Sequence, residues 1–212
     1  SLKNGYDLSI LKPNRLERLR FRKKIKVKNN TPLIGCIARY SPQKDHSSLL
    51  KALSILKSKN INFYCIFAGT NIKNNQKLIY EIKKLKLYSN IKLLKSQNNI
   101  SRLMNGIDLH VLSSSYGEAF PNVVSEAMAF GKPCIVTNVA DSGLIVNKTG
   151  WVVPIKNPKQ LANAIESALR EIGTKKWINR SNRSRKRIKI NYSINKMIKS
   201  YNNEWNKVYK KN

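Results

Sequence analysis

Short, unbroken apolar runs separated by amphipathic stretches constrain this 212-residue chain more than any other feature. Residues 33–38 read LIGCIA and residues 61–69 read INFYCIFAG, each bounded by turn residues. A strand that is apolar at every position has no face to give to water. It must be covered on both sides, as in a parallel sheet. Comparable runs stand at 90–94, 107–112, 133–137 and 150–153. Helical spacing lies between them. Leu49, Leu50, Leu53, Ile55 and Leu56 mark a helix over 48–57 that Asp45 can cap. Leu78, Ile79, Ile82 and Leu85 mark one over 76–86, and 100–105 makes a helical turn. Leu161, Ala164, Ile165, Ala168 and Leu169 share one face of a helix over 158–172. This alternation predicts an α/β fold: a Rossmann-like open parallel sheet of about six strands, helices on both faces and right-handed crossovers, plus C-terminal helices. Ligands of such sheets bind outside the carboxyl ends of the strands. The loop at Arg39, the segment after Gly69, Lys95 and Ser96, and the loop at Glu118 should therefore meet on one edge.

The chain length suits one domain with a tail. Residues 1–30 read as a lead-in, with Asn4-Gly5 as a turn signal and a short basic helix over 14–24 carrying Leu16, Leu19 and Phe21. Residues 31–173 form the sheet domain. Residues 174–212 read as basic C-terminal helices. In them Ile194, Met197, Ile198, Tyr201, Trp205 and Val208 repeat at helical spacing, a packing stripe over 193–211. No run approaches the ~18 apolar residues of a membrane span. Residues 1–30 lack the apolar core of a signal peptide. Cys36, Cys65 and Cys134 all fall in predicted strands, which suits a reducing cytoplasm, and no pair has metal-ligand spacing.

Forty-one Lys and Arg against 11 acids give a net charge of +30. Such a charge suits a polyanionic partner. The cations are spread over the whole chain, as solvated faces would be. They should still draw the protein to an anionic membrane surface at low salt. A nucleic-acid module would need aromatics interleaved with the cations of 175–211. Trp177, Tyr192, Tyr201 and Trp205 are present but follow helical spacing, so no nucleic-acid partner is expected.

The stretch 111–137, VLSSSYGEAFPNVVSEAMAFGKPCIVT, reads as strand, loop, helix, strand. Pro121 suits a first helical turn. Val123, Val124, Ala127 and Met128 make its apolar stripe, and Gly131 and Pro133 end it. The free N–H groups and positive dipole end of such a helix offer an anion site. Glu118 and Glu126 flank that site. They are placed to accept hydrogen bonds from hydroxyls rather than to hold an anion. A ligand with both a diphosphate and hydroxyls is a nucleotide sugar. Arg39 and Lys44, five apart after the first strand, could hold the diphosphate. The plainer alternative is a solvated loop acid and a helix-surface acid. His46 and His110 form no metal or catalytic motif, and His110 is expected to be a satisfied core residue.

The words EAFPNVVSEAMAFGKPCIVTNVADSG and TGWVVP resemble the donor-binding domain of retaining GT-B glycosyltransferases of the family 4 type. Glu118 and Glu126 match that family's E-x7-E motif. GCIARYSPQKDHSSLLKA is similar to its G-x-x-x-R-x4-K pattern through Gly35, Arg39 and Lys44, and NGYDLSILKP to its NG-x-D segment. The resemblance covers about residues 2–170 and is most specific over 113–154. It implies half of a GT-B fold, with Arg39 and Lys44 on the donor phosphates, Glu118 on the sugar hydroxyls and Glu126 on the ribose. Backbone amides of Ala119, Phe120, Asn122 and Val123 would meet sugar and phosphate. Lys95 and Ser96 would lie in the base-contacting loop, although KSQNN departs from the common wording. Glu118, Arg39 and Lys44 would serve catalysis. The donor would be a UDP- or GDP-sugar, transferred with retention and without metal or other cofactor to a glycan or lipid-linked acceptor, in cell-surface polysaccharide or glycoconjugate biosynthesis. The implied location is cytoplasmic, peripheral on the inner face of a membrane. The N-terminal acceptor domain would be absent from this chain, with the last helix crossing back to it. A basic nucleic-acid-binding module and a non-catalytic nucleotide-sugar binder are the alternatives.

Overall fold

The computed structural model describes residues 4–97 and 99–209. The first three residues of the lead-in, Asn98, the end of the predicted last helix and the side chain of Val208 lie outside that description. The elements follow the order α1 (Arg15–Ile25), β1 (Leu33–Ile37), α2 (His46–Ser58), β2 (Tyr64–Ala68), α3 (Gln76–Lys84), β3 (Ile91–Leu94), α4 (Ile100–Gly106), β4 (Leu109–Leu112), α5 (Asn122–Ala129), β5 (Cys134–Thr137), α6 (Ser142–Val146), β6 (Trp151–Val153), α7 (Pro158–Glu171), α8 (Lys175–Asn191) and α9 (Ile194–Tyr209). The six strands form one parallel sheet in the order β3-β2-β1-β4-β5-β6. The order reverses between β1 and β4, so the loops leaving these two strands diverge to opposite sides and open a crevice.

Strand periodicity shares each apolar run between two cores. Ile34, Cys36, Cys65, Phe67, Leu109, Val111 and Ile135 point to the layer of α2, α3 and α7. Leu33, Ile66, Ala68, Leu112, Cys134 and Val136 point to the layer of α1, α4, α5, α6 and α8. The predicted strands are all present, with their ends trimmed to the residues that pair. The run over 61–69 narrows to Tyr64–Ala68, opposite Leu33–Ile37. Asp45 caps α2 as expected, accepting from Ser48 N at 3.1 Å. Helix α6 was not foreseen, because five residues are too few to show a period.

Basic helix α8 packs against the sheet body. Ser184 and Ile188 are buried, and Arg180 donates to Glu171 at 2.7 and 2.9 Å. Of the five aromatics in the basic tail, Tyr192 is buried and Trp177 packs against the core, leaving Tyr201, Trp205 and Tyr209 exposed. Helix α9 presents an exposed stripe of Ile194, Ile198, Tyr201 and Trp205. Among the described residues no helix is long and apolar enough to cross a membrane.

One ionic cluster at the amino ends of β1 and β4 pins α1 to the sheet. The Arg22 side chain is fully buried. Its guanidinium donates to Asp108 Oδ2 at 2.6 Å and to the carbonyls of Gly106, Lys28, Asn29 and Thr31 at 2.8–3.1 Å. Asp108 also pairs with Arg18 at 2.7 Å and accepts from Leu33 N at 2.8 Å. Every polar atom of the pair that a buried charge must satisfy thus has a partner.

His110 departs from expectation. It is buried in β4, yet neither ring nitrogen has a hydrogen-bond partner among the described residues, and the same holds for His46. Both side chains behave as apolar spacers. Burial holds them neutral, with pKa values of about 3 for His110 and about 4 for His46. An unfolded histidine titrates near ~6.5. The folded values are depressed, so the stability they carry is complete above that pH. It drains away as pH falls through the window down to the folded values. Urea unfolding at about pH 7.5 and about pH 5 should show a lower midpoint at the acid value, and His110→Phe should narrow the gap. An equal gap in the variant would remove His110 as its cause.

Candidate functional site

The crevice at the β1/β4 reversal is built from two loops that hydrogen-bond to each other. After β1 the chain runs through a single 3-10 turn, Pro42–Lys44. After β4 it runs through 113–121. Ser115 N donates to Gln43 O at 2.8 Å, Gln43 Nε2 to Gly117 O at 2.6 Å, and Ser113 Oγ to the carbonyls of Lys44 and Asp45 at 2.9 and 3.1 Å. Gly117 has φ +68, a conformation that favours glycine. The exit of β2 joins from the other side. Tyr40 N donates to Thr70 O at 2.9 Å, and a Cβ on Gly69 would collide with the Ala38 carbonyl. Three of the four loops expected on this edge are therefore tied together. The fourth leaves β3, at the outer edge of the sheet. There Lys95 and Ser96 are exposed, and their carbonyls accept from Gln97 Nε2 at 3.0 and 3.4 Å.

At the centre, Lys44 and Glu118 form an ion pair with side chains only 14% and 7% exposed, and Ser114 Oγ donates to the same carboxylate oxygen. Glu118 is thus not a solvated loop acid. Arg39 is exposed and donates to Gln43 Oε1 at 3.2 Å. Gln43 therefore links the arginine to the Glu118 loop, a role that one amide within a run of polar residues did not signal.

Helix α5 begins at Asn122, one residue later than expected, with Pro121 as the residue before it and no side-chain cap. Its first amides are left for a ligand or water. Ala119 is exposed, while Phe120 and Val123 are half-buried. Glu126 lies one turn inside, half-buried, and burial raises its carboxyl pKa. Gly35 is not at the rim. It sits buried in β1, where a Cβ would come 2.8 Å from Ile107, so its small size serves strand packing. The arrangement therefore places two cations, the Glu118 carboxylate and an uncapped helix end on the loops of one crevice, with Glu126 one turn further along that helix. That set can grip a polyanion and several hydroxyls at once. Among the described residues no three His, Cys, Asp or Glu side chains are grouped to hold a metal ion.

Residues 17–187 match the family described as Glycosyl transferases group 1. The chain is 32% identical over 159 residues to EpsF of Bacillus subtilis (strain 168), spanning 73% of this chain and 41% of that protein. Among solved structures, a glycosyltransferase from Rickettsia africae ESF-5 superposes with a TM-score of 0.92 at 24% identity, covering 100% of this chain and 57% of the other. Anabaena Alr3699/HepE in complex with UDP-glucose superposes with a TM-score of 0.86 at 21% identity, covering 97% and 57%. The fold matches that of GT-B glycosyltransferases, and the chain spans less than half the length of EpsF.

Proposed function

Because this chain belongs to the Glycosyl transferases group 1 family, we propose that it is the donor-binding half of a retaining, metal-independent glycosyltransferase that uses a UDP- or GDP-sugar. The buried Lys44–Glu118 pair beside the uncapped end of α5 carries this reading, since it sets a phosphate-binding cation next to a hydroxyl-binding carboxylate. Arg39, Lys44 and the amides of Asn122 and Val123 take up charge on the departing nucleoside diphosphate. Such fixed groups stabilise the transition state without having to reorganise. Glu118 accepts from sugar hydroxyls and Glu126 from the ribose. The raised pKa of Glu126 means that its grip weakens in acid, where the carboxyl gains a proton. Nucleotide-sugar binding draws support from HepE, whose structure holds UDP-glucose. The acceptor, a glycan or lipid-linked glycan of cell-surface polysaccharide synthesis, is bound by the part of the protein that the relatives carry beyond this chain. The exposed stripe of α9 docks on that part, and the cationic surface holds the protein to the inner face of an anionic membrane.

Calorimetry of this chain with UDP- and GDP-sugars, with and without EDTA, tests the reading. Binding should survive EDTA. Glu126→Ala should weaken free nucleotide and nucleotide sugar alike, by about 1.5–3 kcal/mol for a charged hydrogen bond. Glu118→Ala should leave free-nucleotide affinity nearly unchanged. Strict dependence on a divalent ion would refute the metal-independent part. No binding of any member of the panel would refute the whole.

A further inference from the structure

A third segment reaches the donor crevice, from the lead-in. Asn4 Nδ2 and Tyr6 Oη both donate to Asn122 Oδ1, each at 2.7 Å, and Asn122 is the first residue of α5. Tyr6 is 8% exposed, and burial pushes its phenol up to about 12, so it remains a donor through the physiological range. The Tyr6 backbone is fixed from the other side. Tyr6 N donates to Tyr192 O at 2.8 Å, and Ile194 N donates to Tyr6 O at 3.0 Å. These bonds pair Tyr6 with Ser193 in a parallel bridge at the break between α8 and α9.

Two further contacts leave this junction little play. A Cβ on Gly5 would stand 2.7 Å from Met197 Cβ and 2.8 Å from Ile194 Cα, so the first turn of α9 comes this close only because residue 5 has no side chain. The Phe120 ring lies 5.5 Å from that of Tyr192. Arg185 of α8 donates to Leu11 O at 2.7 Å and also to Ala129 O at the far end of α5. The lead-in and α8 thus hold α5 at both ends.

We infer that Tyr6 and Asn4 are positioning residues of the donor site, and that through them donor binding at the start of α5 is coupled to the α8–α9 joint. The inference rests on the donor-site reading above. A helix start without a side-chain cap frays, and a frayed turn cannot present its amides at fixed positions. Two donors on one carbonyl oxygen hold Asn122 in a single rotamer and so hold that turn. The clamp is anchored on the joint. A ligand that tightens the turn therefore tightens the joint, and by linkage the reverse holds. The exposed face of α9 carries the effect outward.

Amide hydrogen exchange on this chain and on Tyr6→Phe and Asn4→Ala tests both parts. Without ligand, Tyr6→Phe should speed exchange at residues 124–127 by about tenfold, the equivalent of one lost hydrogen bond, and leave β1 and β4 unchanged. Asn4→Ala, which removes an exposed donor, should act in the same direction and serves if Tyr6→Phe melts early. With saturating UDP-glucose or the GDP-sugar that binds, the wild type should gain protection at 193–197 as well as at 124–127. Tyr6→Phe should lose the distant protection and bind about tenfold more weakly. A purely structural Tyr6 would not alter ligand-induced protection at 193–197. Unchanged exchange at 124–127 in both variants overturns the positioning role whether or not a sugar binds. Absent ligand protection at 193–197 in the wild type overturns the coupling. A wild type that binds no nucleotide sugar sinks the donor reading and the coupling with it, and ligand-free exchange then decides on Tyr6 alone.

Discussion

Asp108→Ala should destabilise this chain by about 3–5 kcal/mol, because removing one partner of a buried pair strands the other. The stranded group is Arg22, whose side chain is fully buried and whose remaining partners are neutral carbonyls. Arg18 and Leu33 N lose their acceptor in the same step. A small domain holds only about 5–15 kcal/mol in total, so the variant should lie near the edge of folding. Urea unfolding would show the loss as a lower midpoint at an unchanged slope. Asp108→Asn keeps the shape and should still lose most of the stability, because an amide cannot balance the buried charge. A pair of variants that unfold like the wild type would show that α1 is held by its apolar face alone.

Lys44→Ala, made in an enzyme carrying this chain together with its acceptor part, should lower kcat by about 10²–10³-fold, the loss typical of one preorganised charge-stabilising group. The reason is the position of Lys44. Its side chain is 14% exposed, its backbone carbonyl is fixed by Ser113, and its ammonium is set against Glu118. In the proposed role, such a cation gains little on ground-state binding that water could not supply and much when charge collects on the leaving diphosphate. The change in KM should therefore be smaller than the change in kcat. Folding is a separate question, because Lys44→Ala removes the cation and leaves the Glu118 carboxylate with the Ser114 hydroxyl as a donor. Lys44→Ala/Glu118→Gln controls for that. If the double variant recovers thermal stability but not turnover, the missing cation is responsible. Turnover restored by the second substitution would assign the defect to the orphaned carboxylate instead.

The fold could be read because its signals are local. Each strand is a few consecutive apolar residues, and Leu49, Leu53 and Leu56 repeat within one helix, so no partner needs to be known. The loops that meet at the crevice were legible for the same reason: Arg39 and Lys44 share the loop after one strand, and Glu118 lies in the loop after another. The missed features join residues far apart in the chain. Gln43 becomes a bracket only when Gly117 lies beside it, and Tyr6 matters only because Asn122 folds back onto it. Asp108 gains its role only when Arg22 arrives from α1. Gly35 misled in the opposite sense: a residue of a donor motif proved to be a space-saver beneath Ile107. His110 misled through its chemistry, since a polar name suggested a partner that is not found among the described residues.

The ionic clamp and the crevice occupy opposite ends of the same two strands, β1 and β4. This gives the chain a division of labour useful at the bench. Under the proposed donor-site reading, substitutions at the crevice rim should weaken ligand binding while the clamp keeps the scaffold intact. Folded forms with an altered crevice should therefore be easy to make, fit as matched controls in ligand titrations.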